Sequence, residues 1–134
     1  MNLENDGFKE LQERKQMLDS NRSIKEEAVA KYLTYIFQDY KGFTHRNAND
    51  SMGAAEKRIE DFRLGLRTLE GNKYIKVISG TSVHSFILKE DDKKFKAGDI
   101  LKAASWAQPS KNFARGNITD SSSFRTRITW TGAN

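Results

Sequence analysis

The sequence of 134 residues contains no cysteine, one proline and two histidines. The absence of cysteine excludes a disulfide scaffold, a thiol nucleophile and a thiolate zinc cluster, and it agrees with a reducing compartment. No apolar run approaches membrane-spanning length, and residues 1–6 have neither the basic nor the apolar region of a secretion signal. We therefore expect a cytoplasmic protein without membrane association.

Groups that carry out catalysis are also scarce. The two histidines, His45 and His84, lie far apart in the sequence, and His84 falls in a predicted hairpin strand. No catalytic triad, glycine-rich phosphate loop or set of metal ligands can be assigned from the sequence. We predict no catalytic residue, no metal site and no cofactor, and we favour a binding protein over an enzyme.

The sequence has an excess of positive charge that is unevenly distributed. Residues 1–70 carry 12 Lys and Arg against 13 Asp and Glu, whereas residues 71–134 carry 11 against 5. A basic half favours an anionic partner, such as nucleic acid or an acidic protein, because its field attracts anions before contact. The alternative is that the charge only keeps a small domain soluble.

The first half has the apolar period of helices. An apolar stripe predicts one helix over about residues 24–39, and a second amphipathic stripe predicts another from about residue 51 to Gly71. Residues 41–50 are mostly polar and contain Gly42 and several Asn and Asp residues, so they are predicted to form a loop. Residues 1–20 are helical by propensity but have few apolar side chains, so they can form a third helix or a frayed arm.

After Gly71 the apolar period changes to two, which is typical of strands. Residues 74–78 and 83–88 predict a hairpin, with Gly80 opening a two-residue type II′ turn. Further strands are predicted near residues 100–106 and over residues 124–130. In the last of these, Phe124, Ile128 and Trp130 alternate with Arg125, Arg127 and Thr129.

These patterns predict an α+β fold. Two or three N-terminal helices pack on a C-terminal antiparallel sheet of four or five strands, which can curl into a small barrel. We expect a single domain over residues 1–134, with a helical part, 1–71, and a basic β part, 72–134.

Residues 107–117, preceded by Trp106, predict a binding loop. Single-stranded nucleic acid needs cations to meet its phosphates and flat side chains on which its bases stack, and this stretch supplies both. The alternative is that the side chains of Trp106 and Phe113 are buried in the core beneath an ordered loop. The candidate residues for binding nucleic acid or another partner are Lys76, Lys102, Trp106, Lys111, Asn112, Phe113, Arg115, Asn117, Arg125 and Arg127.

Four stretches of the second half resemble a group of small, uncharacterised tailed-phage proteins. They are residues 74–77, 82–87, 95–106 and 114–117, and the resemblance covers about residues 72–132. It implies a phage origin and a location in the host cytoplasm. It implies no activity, because none is assigned to that group.

Two functions follow from these observations. The first is nucleic-acid binding, with single strands or RNA favoured, through the basic aromatic β face and loop. The second is a phage protein-interaction factor that binds an acidic host protein, through the same face or through the region of Tyr32, Tyr35, Tyr40 and Phe43. The N-terminal helices also offer a surface for a homodimer.

Overall fold

The computed structural model describes residues 26–47 and 52–134, and the chain is α+β, as predicted. Two α-helices precede the strands: α1 covers residues 26–47 and α2 covers Met52–Gly65. The strands are β1 (Leu66–Glu70), β2 (Tyr74–Ser79), β3 (Ser82–Leu88), β4 (Ile100–Lys102), β5 (Ile128–Thr129) and β6 (Gly132–Ala133). Contacts group the chain into two units, residues 1–31 and 32–134, and the strands and α2 belong to the second. The predicted helical segment in residues 1–20 lies outside the described residues.

Strands β1 to β4 form a four-stranded antiparallel sheet in the order β1-β2-β3-β4. The predicted β2–β3 hairpin is confirmed, with Ser79 paired to Ser82. Gly80 has a φ of 63°, whereas no described non-glycine residue, Thr81 included, has a positive φ, which matches a type II′ turn. The sheet stays open between its edges β1 and β4, so the barrel form of the prediction is wrong.

Helix α1 continues beyond the predicted end at residue 39 and reaches residue 47, so the predicted loop over 41–47 is wrong. The extra turns are held by packing: Tyr40 stacks on Phe62 of α2 with ring centroids 4.1 Å apart, and Thr44 is buried. Phe43 lies against Trp130 at 5.1 Å. This packing outweighs the cost of Gly42 inside a helix.

Helix α2 ends at Gly65 rather than at Gly71, and the residues after it form β1. Gly65 lies against the β2–β3 turn, where its carbonyl accepts a hydrogen bond of 2.9 Å from the N–H of Gly80. A Cβ at Gly65 would lie 3.2 Å from that nitrogen, so glycine permits the close approach. Leu69, which falls within the predicted helix, is instead exposed on β1.

Helix α1, from Tyr32 onward, packs on one face of the sheet. Tyr32 and Ile36 of α1 are fully buried, and the Tyr32 hydroxyl is 2.8 Å from Oγ of Ser85 on β3. Tyr32 also meets the ring of Phe124 edge-on at 5.4 Å. This face holds the contact between the helical and β parts of residues 32–134.

The opposite face is covered by loops. Phe86 and Leu88 of β3 pack with Leu101 of β4 and with Phe95 from the β3–β4 connection. Because side chains alternate along a strand, Ile87 points to the other face. The sheet therefore has buried apolar side chains on both of its faces.

The last predicted strand is much shorter than expected. Residues 124–127 form a turn, and only β5 and β6 pair, as a two-stranded hairpin. The N–H of Ile128 donates to the carbonyl of Phe124 at 2.9 Å, a helix-like bond that places both side chains in the core. A spacing of four residues fits one face of a helical turn as well as one face of a strand, which explains the error.

Candidate functional site

The structure gathers six of the ten candidate residues into two clusters. The first, called the tryptophan cluster, consists of Lys76 and Trp106. The second, called the arginine cluster, consists of Asn112, Phe113, Arg115 and Arg127. In each cluster an exposed aromatic ring lies beside cationic side chains.

Trp106 lies in a tight turn that follows β4. Strand β4 ends earlier than predicted because the N–H groups of Ala104 and Ser105 both donate to the carbonyl of Gln108, each at 3.0 Å. Ala103 pairs with Pro109 across the base of this turn. The turn projects the tryptophan from the sheet, and 51% of its surface is exposed.

Lys76 reaches the tryptophan from the middle of β2. Its Nζ lies 4.6 Å from the centroid of the Trp106 ring and 5.7 Å from that of Phe86, its cross-strand neighbour. A cation over an aromatic face is attracted by the negative face of the ring. The contact holds a positive charge and a flat, accessible ring side by side.

The predicted binding loop is an ordered segment that runs along the outer edge of β4. Backbone N–H groups of Ser110, Arg115 and Ile118 donate to Lys102, Ile100 and Gly98 at 2.7, 2.7 and 2.9 Å. This pairing satisfies the edge of the sheet and fixes the direction of the loop. The predicted loop therefore lies on the sheet as an ordered segment, and its role in binding stays a prediction.

Gly116 brings the loop close to the turn at residues 124–127. Its φ is 136°, and a Cβ there would lie 2.6 Å from Cβ of Phe124, so only glycine fits. The contact places Arg127, from that turn, next to Phe113 of the loop. Sequence alternation had grouped Arg127 with the sheet, and the structure instead joins it to the loop.

Phe113 is the centre of the arginine cluster. The guanidinium carbons of Arg115 and Arg127 lie 3.9 Å and 5.0 Å from the centroid of its ring. Oδ1 of Asn112 accepts hydrogen bonds from Nη1 of Arg115 at 2.6 Å and from the N–H of Phe113 at 2.7 Å. The Phe113 side chain is 43% exposed and that of Trp106 is 51% exposed, so neither side chain is buried in the core.

Arg115 is a buried cation, with 4% of its surface exposed. Burial lowers the pKa of Arg115, and the nearby charge of Arg127 lowers it further. Nη1 also donates to the carbonyl of Phe113 at 2.7 Å, whereas Nε has no hydrogen-bond acceptor among the described residues. Two guanidiniums thus lie against one aromatic ring, and that of Arg115 is largely out of water.

Four candidate residues remain outside the clusters. Lys102, Lys111 and Arg125 are exposed cations on β4, the loop and the last turn. Asn117 has a structural role: its amide donates to the carbonyl of Ala97 and to Asp99, and its Oδ1 accepts from the N–H and hydroxyl of Thr119. With its amide engaged in this way, Asn117 holds the loop and is a poor candidate for reading bases.

Sequence reasoning missed one cation near the loop. Lys94 donates from Nζ to the carbonyl of Lys111 at 2.6 Å and lies 5.4 Å from the centroid of the Phe95 ring. Lys94 is not among the ten candidate residues. A lysine directly before an apolar residue that enters the core is the only sequence signal for this placement.

The sequence also gave no sign of a buried polar network around His84. Ser85 pairs with Val77 and Val83 with Ile78, so His84 is an extra residue in β3, a β-bulge that lets both His84 and Ser85 be buried. Nε2 of His84 is 2.7 Å from the carbonyl of Thr129, which can only accept. Nε2 therefore carries the proton, and Nδ1 accepts from the Ser85 hydroxyl at 2.9 Å.

The tyrosine region proposed as a protein interface is engaged within the chain. Tyr32 is fully buried, Tyr35 donates to the carbonyls of Arg125 and Ile128, and Tyr40 stacks on Phe62. Phe43 is the one side chain of these four that is exposed, at 39%. These side chains stabilise the packing of α1 and are not a free patch of tyrosines.

Within the ranges 26–47 and 52–134, no group of three or more His, Asp or Glu side chains is placed to hold a metal ion. No helix in these ranges has the length and apolar character needed to cross a bilayer.

The fold and the two clusters define an α+β protein that carries half-exposed aromatic rings beside cations. The chain belongs to DUF7717, a family of unknown function whose match covers residues 8–134. No curated protein and no solved structure matches the chain.

Proposed function

We propose that the protein binds nucleic acid, with single strands or RNA favoured, and does not catalyse a reaction on it. Binding occurs through the tryptophan and arginine clusters. The observation that supports this most is the pairing of two half-exposed rings, Trp106 and Phe113, with cations that have no acidic partner among the described residues. Single-stranded nucleic acid offers bases for the rings and phosphates for the cations.

The six candidate cations differ from four other cations of the chain, although Lys93 and Lys96 likewise form no ion pair with a described carboxylate. Lys31, Arg63, Lys73 and Lys89 each form an ion pair with a carboxylate. None of the candidate cations does so with any residue in the described part of the chain; they are Lys76, Lys102, Lys111, Arg115, Arg125 and Arg127. The accessible members of this set, which exclude the buried Arg115, can contact phosphates, and their binding releases counterions from the nucleic acid.

The rings favour unpaired bases. A base in a duplex is stacked on its neighbours and presents only its edge, whereas a base in a single strand can lie flat on an aromatic side chain. Trp106 projects from a turn and is backed by Lys76 at 4.6 Å. A base stacked on its accessible surface would bring the adjoining phosphate near a positive charge.

Replacing Trp106 tests this proposal. Trp106→Ala should weaken binding of a labelled single-stranded oligonucleotide by about tenfold, because one base–aromatic stack is lost. The matched control is Leu64→Ala, which truncates a 65% exposed apolar side chain on α2. Fluorescence anisotropy measures both, and equal affinity of the parent and Trp106→Ala proteins would reject the role of the ring.

Tryptophan emission supplies a second readout in the same titration. The chain has two tryptophans, and Trp130 is packed between Tyr40 and Phe43 with centroid distances of 5.0 and 5.1 Å. Quenching by a stacked base should therefore come from Trp106. It should disappear in Trp106→Ala and remain in Leu64→Ala.

A second candidate function is capture of an acidic host protein by the same unpaired cations, in keeping with the resemblance to tailed-phage proteins. The exposed cations favour any anionic surface, including a carboxylate-rich one. The two candidates differ in one experiment. A partner recovered with the protein from a host lysate should persist after nuclease treatment if it is held directly, and it should be lost if nucleic acid bridges the two.

A further inference from the structure

The buried guanidinium of Arg115 is the most unusual polar group among the described residues. A cation removed from water is costly unless an anion or a full set of hydrogen bonds compensates it. Arg115 is 4% exposed and forms no ion pair with the described part of the chain. Its compensation consists of two neutral oxygens, Oδ1 of Asn112 and the carbonyl of Phe113, and of the face of the Phe113 ring.

The hydrogen bonds of this guanidinium use only one of its nitrogens. Both leave from Nη1, and Nε is buried without an acceptor in the described chain. A guanidinium is planar and presents N–H groups as a rigid fork that fits two oxygens of one phosphate or carboxylate. The Nε side of the Arg115 fork is therefore left for a ligand.

Arg127 supplies a second guanidinium to the same ring. It lies 5.0 Å from the Phe113 centroid, and Arg115 lies 3.9 Å from it. The charge of Arg127 lowers the pKa of Arg115, so the two guanidiniums repel, and an anion that contacts both would replace that repulsion by attraction. Nδ2 of Asn112 has no described acceptor, so it offers one more donor beside the pair.

We propose that Arg115 and Arg127 form a site for a terminal phosphate group, with Asn112 beside them. A terminal phosphate is a dianion with three free oxygens, enough for two guanidiniums and an amide. Arg115 is only 4% exposed, which favours contact with the end of a ligand over an internal phosphodiester, which continues on both sides. Because Phe113 covers the guanidinium, the site requires its 43% exposed ring to move aside when phosphate binds. Free phosphate and the phosphorylated end of an oligonucleotide share this chemistry, and the second ligand rests on the proposed function.

The first test follows the arginine side chains directly. Titration of inorganic phosphate into ¹⁵N-labelled protein should shift the Nε–Hε resonance of Arg115, because Nε gains its missing acceptor. Sodium chloride at matched ionic strength should leave that resonance in place. Equal shifts with both salts, or no shift with phosphate, would overturn the site.

Variants at two arginines assign the effect. Arg127→Gln removes one guanidinium and leaves the Arg115 side chain in the sequence, and it should weaken phosphate binding roughly tenfold. Arg63→Gln is the charge-matched control, because Arg63 is an exposed arginine of α2 that pairs with Glu60 and lies outside the candidate residues. Arg115→Lys keeps the charge but loses the fork, so it should bind as weakly as Arg127→Gln. Unchanged phosphate binding in Arg127→Gln contradicts the assignment.

Oligonucleotides with a 5′-phosphate, a 3′-phosphate or neither distinguish this inference from the proposed function. The site predicts tighter binding of a phosphorylated end to the parent and loss of that preference in Arg127→Gln. If all three oligonucleotides bind equally and phosphate does not shift the Arg115 resonance, the terminal-phosphate site is rejected and the proposal of nucleic-acid binding stands. If phosphate binds and no oligonucleotide does, the site stands and the proposed function is wrong.

Discussion

At the scale of single residues, His84 links protonation to folding. It is buried, donates from Nε2 to the carbonyl of Thr129 and accepts from Ser85, whose Oγ is also bonded to Tyr32. Burial lowers the pKa of His84 below its ordinary value of 6.5, although the Thr129 bond opposes this effect. The folded chain thus keeps a neutral imidazole where the unfolded chain would take up a proton.

This linkage predicts an acid-sensitive stability. As the pH falls below about 6.5, the unfolded state binds a proton that the folded state does not, so the free energy of unfolding decreases toward pH 5. Urea unfolding across this range should show the slope in the parent. In His84→Gln the slope should be much smaller, with lower stability at neutral pH.

Tyr32→Phe is the control for this prediction. It removes the hydroxyl that bonds to Ser85 at 2.8 Å but leaves the imidazole in place. Its stability should fall by about 1 kcal/mol at every pH, with the slope kept. A parent whose stability is constant between pH 5 and 7 would contradict the account of His84.

Residue identity alone predicted part of the candidate site. Trp106, Phe113 and Arg115 were selected because aromatic and cationic side chains together suit nucleic acid, and the structure places each beside a partner of the other kind. The sequence could not predict that Arg115 is buried while Trp106 is half exposed. Burial depends on contacts between segments distant in sequence, and an arginine in a polar loop carries no sign of them.

At the scale of elements, the β2–β3 hairpin was predicted well because its signals are local. Gly80 and the alternating strands on either side fix the turn and the register. The ends of α1 and α2 were wrong because they depend on packing across the chain. Phe43 meets Trp130, and Gly65 meets Gly80, in contacts with partners far along the sequence.

The extension of α1 can be tested at Gly42. In a helix, Gly42→Ala removes backbone freedom from the unfolded chain and should raise the free energy of unfolding by about 0.5–1 kcal/mol. The added Cβ would meet only the flexible end of Arg46, at 3.1 Å from Nη1. Thermal unfolding followed by circular dichroism measures the change. A clear loss of stability would support a loop at residues 41–47 instead.

Gly53→Ala serves as the reference for that measurement. Gly53 lies in α2, and a Cβ there meets no atom within 4 Å. Its substitution reports the propensity gain of a helix with no change in packing. A similar gain at Gly42 indicates that both positions are helical.

At the scale of the whole molecule, charge is the property that connects sequence and proposed function. The excess of cations in residues 71–134 was visible from composition, and the structure adds that the candidate cations form no ion pairs with the described residues. The α+β class followed equally from the change of apolar period near Gly71. The pairing of the loop at residues 107–117 with the edge of β4 could not be predicted from the sequence. The loop has no regular alternation of apolar and polar residues, which is the signal by which strands are recognised.

The most direct test of the central claim is the salt dependence of oligonucleotide binding by the parent protein. Anisotropy titrations with labelled single-stranded RNA, single-stranded DNA and duplex DNA of about 16 nucleotides would be made at several salt concentrations. Contact of four to six phosphates predicts a slope of log K against log salt of about −3 to −4 for the single strands, with weaker binding of the duplex. No binding to any of the three at low salt, or an affinity independent of salt, would contradict the account.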